Sequence, residues 1–162
     1  MATSHRISSA RKKTWLVGFL SGLIGLLIGL YVSSEATGEG YELLPLFAFL
    51  AAFVTSSVLW WWIAARSETH RLARGGIAGA LSGMIAHYVC WYRLILAHNL
   101  CYWLTGGCLD SLGQPPIDLL SAIWGAVVLS LPSLLFFGWL TVPLGALIGG
   151  SVAAIKPSTE PG

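Results

Sequence analysis

Three side chains with chemical capacity, His87, Arg93 and His98, sit inside the apolar stretch 74–104, RGGIAGALSGMIAHYVCWYRLILAHNLCYWL. An imidazole in such a setting ligates haem iron or a metal, carries protons near neutral pH, or is held by hydrogen bonds as part of the packing. His87 and His98 are eleven residues apart, which on a helix superposes them on one face, roughly 16 Å apart along the axis. A bis-histidine haem needs two rings facing each other across helices, and no other apolar stretch contains a histidine. Haem ligation would therefore require a symmetric partner subunit, and hydrogen-bonded packing is the simpler reading. Arg93 lies nineteen residues beyond Arg74, about 28 Å along a helix. At that depth its long side chain reaches the headgroups and can pair with Asp118 or Glu42.

Cys101 and Cys108 flank the turn signal Gly106–Gly107. In one continuous helix their Cα atoms would stand about 10 Å apart, too far for a disulfide. A bridge therefore requires the helix to end near Leu104. Cys90 reads as a small buried hydrophobe, and the lack of a CxxC pair argues against thiol oxidoreductase chemistry. The central parts of the apolar stretches contain no Asp or Glu, and motifs for zinc binding, phosphate cradling or a nucleophile elbow are missing. The expectation is a protein that is not an enzyme and uses no metal or cofactor.

The elements that position these groups follow from composition. Of 162 residues, 56% are hydrophobic and 10% charged, with a mean hydropathy of +0.74, whereas soluble domains carry roughly 25% charged residues. In hydrocarbon every unpaired backbone group costs several kcal/mol, and the apolar runs are too continuous for barrel strands, so they must be helices. The expected fold is all-α, a single transmembrane domain covering 1–162 with helices at about 15–33, 43–65, 74–104 and 117–155. The first run follows a basic segment, as in a signal peptide. It is longer than the 7–15 residues of such a core, so it is expected to be retained.

Charge distribution orients the spans. Arg6, Arg11, Lys12, Lys13, Arg66, Arg71, Arg74 and Lys156 fall on one side; Glu35, Glu39, Glu42, Asp110 and Asp118 fall on the other. The positive-inside rule then places both termini in the cytoplasm. The last two runs would extend about 46 Å and about 58 Å as helices, against a hydrocarbon core near 30 Å. The hairpin is expected to protrude from the bilayer, with the last helix kinked or broken near Pro132 or Pro143. A break at Gly138 would instead make 139–155 a fifth span, without a polar turn to support it. Trp15 and Trp60–Trp62 read as interfacial belts.

Small residues give the strongest pattern. Gly18, Gly22, Gly25 and Gly29 share one side of the first span, Gly75, Gly79 and Gly83 form a GxxxGxxxG run in the third, and Gly138, Gly145 and Gly149 align in the fourth. A second stripe on the third span joins Gly76, Ala80, Gly83, His87, Cys90, Leu94 and Cys101. Such faces let backbones approach closely in lipid, within one chain or between copies. Residues 17–31 also align without gaps to 78–92, matching Gly18, Leu20, Ser21, Gly22, Ile24 and Tyr31. That register describes a parallel repeat of two-helix hairpins.

Three functional classes remain. The leading one is a non-catalytic, oligomeric bacterial inner-membrane protein, the sensor or anchor of a larger complex such as envelope surveillance or phage defence. Its partners would be lipid, further copies of itself and an acidic cytosolic protein docked on Arg66, Arg71 and Arg74, with no nucleic acid bound. The others are an oligomeric channel or transporter with a pore lined by His87, Arg93 and His98, and a haem or quinone redox subunit.

Overall fold

The computed structural model describes residues 2–36, 41–65, 71–109 and 113–155, with side chains from Ala10 onward. Arg66, Glu39, Asp110 and Lys156 lie outside the described residues. Among those described, the chain forms four long helices: α1, Ala2–Glu35; α2, Leu44–Trp60, continued by a π-helical turn at Trp61–Ala65; α3, Arg71–Thr105; and α4, Leu119–Ala154. All four are long and apolar enough to cross a membrane. The chain is an all-helical integral membrane protein.

Local chemistry explains the boundaries. Pro45 stands in the first turn of α2, where its missing N–H would be unpaired in any case. α3 stops at Thr105, and Gly106 takes a positive φ of 69°, a conformation that suits glycine beyond a helix end. Asp118 caps α4: its carboxylate accepts from the backbone N–H of Leu120 at 3.0 Å and of Ser121 at 3.1 Å. Among the described residues Arg93 and Asp118 form no ion pair; the Asp118 Oδ1 instead serves the helix it begins. α4 is helical without interruption from Leu119 to Ala154, although Pro132 and Pro143 lie inside it. The helix is therefore not broken at either proline or at Gly138. Arg71 and Arg74, placed in a loop or at a boundary by the charge pattern, belong to the first turns of α3.

Glycine assembles the helices into two antiparallel hairpins. Gly18, Gly25 and Gly29 of α1 abut Phe53, Ala48 and Pro45 of α2 in reverse order. Gly75, Gly79 and Gly83 of α3 abut Gly149, Gly145 and Thr141 of α4 in the same manner. The glycine rows are thus filled within the chain. The alignment of 17–31 with 78–92 pairs Gly18 with Gly79 and Gly22 with Gly83, and each of these faces the helix that follows its own. α2 and α3 join the hairpins. At one end Val17, Trp60, Ala64, Ala78, Val152 and Ala153 form the buried core. Trp60 is only 3% exposed and donates from its indole to the Gly149 carbonyl at 3.3 Å. This corrects its assignment to an interfacial belt. Trp62, at 67% exposed, faces outward.

Candidate functional site

The glycine row of α3 delivers His87 to α4. A Cβ on Gly83 would stand 2.7 Å from the Thr141 carbonyl oxygen, so only glycine lets the backbones approach this closely. One turn further along α3, His87 meets two hydroxyl-bearing residues of α4. Its Nδ1 lies 2.6 Å from Ser133 Oγ and its Nε2 lies 3.0 Å from Thr141 Oγ1. Thr141 in turn donates to the Gly83 carbonyl at 3.5 Å. With the imidazole neutral, a single arrangement makes all three bonds at once: Ser133 O–H donates to Nδ1, Nε2–H donates to Thr141, and Thr141 O–H donates to Gly83. A buried imidazole is costly unless both nitrogens find partners, and here they do.

This relay borders a cavity of about 300 Å³ between the two hairpins. All four helices contribute to its wall, which is mostly apolar, with Ser82, His87, Cys90, Ser133 and Thr141 as polar members on α3 and α4 and Ser21 and Ser56 on α1 and α2. The gap-free alignment of 17–31 with 78–92 sets Ser21 against Ser82, Gly25 against Ala86 and Gly29 against Cys90, and all six residues line the space. Three lining residues of α4, Leu129, Pro132 and Phe136, are also exposed on the outer surface. Along α4 the wall is therefore continuous with the lipid-facing side of the molecule.

The polar trio expected from sequence does not come together. His87 lines the cavity, whereas Arg93 and His98 are half-buried elsewhere on α3. His98 Nδ1 lies 3.3 Å from the carbonyl of Leu94, one turn back on its own helix. Haem ligation by His87 would require breaking its contacts to Ser133 or Thr141. The stripe through Gly76 and Ala80 is displaced by about one residue: the buried row is Gly75, Ala78, Gly79, Ser82, His87, Leu94 and Asn99.

Asn99 was not anticipated. It is 2% exposed, and its amide donates to the carbonyls of Ile95 and Ile117, each at 3.0 Å, tying the far end of α3 to the segment entering α4. Its only signal in the sequence is a lone amide in an apolar helix, which is the kind of group that must find a partner in lipid. Cys101 and Cys108 form a disulfide with Cα atoms 6.0 Å apart, made possible by the end of α3 at Thr105. Arg71 and Arg74 are exposed. They share their end of the molecule with Lys13, which donates to the Ile155 carbonyl. No known protein family matches the chain, and no curated protein or solved structure shows significant similarity to it.

Proposed function

We propose that this protein is a non-catalytic, membrane-embedded sensor that takes a small lipophilic molecule from the bilayer into the space between its hairpins. The observation that carries the reading is the cavity, lined from both sides by aligned positions of α1 and α3 and open toward lipid along α4. Apolar cavities of this size with a few convergent polar groups are the usual form of ligand sites, and repeat interfaces are where membrane proteins commonly build them. Filling the space changes how one hairpin rests on the other, because α2 and α3 provide the main connection between them. In this reading the protein lies in a bacterial inner membrane with both termini cytoplasmic. Arg71, Arg74 and the basic start of α1 then form the face on which an acidic soluble protein docks, and copies associate through outward surfaces rather than through the filled glycine rows.

The test is native mass spectrometry of protein extracted from its own membranes. The wild type is expected to retain one lipophilic adduct, and Ala86→Leu, which fills the cavity, to lose it while keeping the helical circular-dichroism spectrum. In the same preparations Arg71→Gln with Arg74→Gln is expected to release an acidic soluble partner without touching the adduct. An empty wild type, or an adduct unchanged by Ala86→Leu, would defeat the reading.

A further inference from the structure

Three serines form one end of the cavity. Ser21 of α1, Ser56 of α2 and Ser82 of α3 all line it. Each stands four residues, about one helical turn, from a member of the buried core: Ser21 from Val17, Ser56 from Trp60 and Ser82 from Ala78. They differ in what their hydroxyls do. Ser82 donates to the Ala78 carbonyl on its own helix, as Thr55 does to Ala51 and Ser130 to Val127. The hydroxyls of Ser21 and Ser56 make no hydrogen bond among the described residues, although Ser56 is only 2% exposed. A hydroxyl buried beside an open space is costly to leave unpaired, and an occupant with a polar end completes it. The other unpaired groups of the wall, the Cys90 thiol and the Trp91 indole, belong to half-buried residues nearer the opposite end.

From the serines the lining runs eleven residues along α1 to Val32, twelve along α2 to Leu44 and nine along α3 to Trp91, about 14–18 Å at the helical rise. With a volume of about 300 Å³, the space is a slot longer than it is wide and suits one chain better than a fused-ring body. No Lys, Arg, Asp or Glu lines it, so a charge brought into it would be unpaired in an apolar setting. α4 runs antiparallel to α3, with Thr141 against Gly83. The lipid-facing margin at Leu129, Pro132 and Phe136 therefore lies on the half away from the serines.

Resting on the reading above, we propose that the occupant is an uncharged single-chain lipid whose polar end is hydrogen-bonded to Ser56 and Ser21, with its hydrocarbon chain directed past His87 toward Val32, Leu44 and Trp91. The opposite orientation would set a terminal methyl against two unpaired hydroxyls. Because a serine hydroxyl both donates and accepts, this end takes an alcohol, an amide or a protonated acid alike. It selects for polarity without charge rather than for one functional group.

The experiment uses the full chain in lipid nanodiscs and three photoreactive probes of equal length: a long-chain primary amide with a diazirine beside the amide, the same amide with the diazirine near its terminal methyl, and a trimethylammonium analogue of the first. Labelled positions are read by peptide mass spectrometry. The first probe is expected to label around Ser21 and Ser56, and the second around Val32, Leu44 and Trp91. The charged analogue is expected to label the cavity at least about tenfold less. Ser56→Ala with Ser21→Ala should reduce labelling of that end by the first probe about threefold, with the circular-dichroism spectrum unchanged. A reversed pattern, or labelling unchanged in the double variant, would overturn the orientation, and equal labelling by the charged analogue would overturn the uncharged assignment; in both cases the cavity stays a lipid site. Failure of both amides to label the cavity of folded protein would overturn the site as well.

Discussion

Between α3 and α4 every glycine of the close-packed row meets backbone first, whereas between α1 and α2 Gly25 and Gly29 meet the backbone of Ala48 and Pro45 but Gly18 and Gly22 meet side chains first. A Cβ added to Gly79 would lie 1.8 Å from the Gly145 carbonyl oxygen and one added to Gly149 would lie 2.1 Å from the Gly75 carbonyl oxygen. Those neighbours are backbone and cannot move without displacing a helix. On the other hairpin, a Cβ on Gly22 would first meet the Phe49 ring at 2.8 Å, and one on Gly18 would meet the Ser57 hydroxyl at 2.1 Å, both of them side-chain atoms. The first hairpin is also bordered by aromatic contacts, with Phe49 and Phe53 stacked at 6.0 Å between ring centroids and Trp15 beside Phe53 at 5.3 Å. The two hairpins therefore differ at the Gly18–Gly22 end of α1, where the packing can yield by moving a side chain. Beside the cavity the hairpins are alike, because Gly25 and Gly29 of α1 and Gly79 and Gly83 of α3 all stand against backbone.

Four measurements would sharpen or break the contrast. The largest effect is expected for Gly79→Ala, which must separate α3 from α4 and should cost about 3 kcal/mol, with Gly22→Ala near about 1 kcal/mol because Phe49 can rotate. Equal losses in a denaturant titration of the two variants in detergent would erase the distinction between the hairpins. Asn99→Leu comes next. It leaves the Ile117 carbonyl without its amide donor and is expected to destabilise the α3–α4 end by about 1–2 kcal/mol, read as faster amide exchange around 113–122.

Smaller and of opposite sign is Gly76→Ala. A Cβ there meets only the Ala146 carbonyl oxygen, at 3.7 Å, so the gain in helix propensity should prevail and stabilise by roughly 0.5–1 kcal/mol. A loss would mean that the close-packed row of α3 is wider than Gly75, Gly79 and Gly83. The smallest effect concerns pH. Hydrogen bonds from Ser121, and then from the backbone of Leu120, hold the Asp118 carboxyl below its usual range. A folded-state value lower than the unfolded one contributes stability that is present above the unfolded value and is lost as pH falls through the depressed one. Acidification below about pH 4 should therefore weaken the start of α4 in the wild type but not in Asp118→Asn, which keeps a capping side chain without the titration. The comparison is the difference between their melting curves across that range, and parallel curves would remove the cap from the account.

Much of the scaffold was legible because lipid imposes simple demands. Long uncharged runs must be helices, and the glycine spacing at 75, 79 and 83 could only mark a face of close approach. The histidine pattern was legible in part: His87 was read as a hydrogen-bonded packing residue, yet its partners Ser133 and Thr141 are 46 and 54 residues away, in a helix where serine and threonine carry no distinguishing signal. Trp60 and its neighbours Trp61 and Trp62 are indistinguishable by composition, and the burial of the first alone depends on which way the end of α2 is wound. Arg93 was grouped with the histidines by proximity in the chain, but the helical phase of α3 turns it away from the cavity.

The amino-acid order by itself determined that this chain dissolves in lipid as four helices and that residues without bulk would bring those helices together, since the cost of unpaired backbone in hydrocarbon and the width of a bilayer leave few alternatives. Only the tertiary structure decided which glycine meets which backbone, that the two hairpins enclose a space rather than sealing it, and that His87 meets Ser133 and Thr141 of α4. Those outcomes depend on the registration of helices distant in sequence, and short-range periodicity holds no record of that registration.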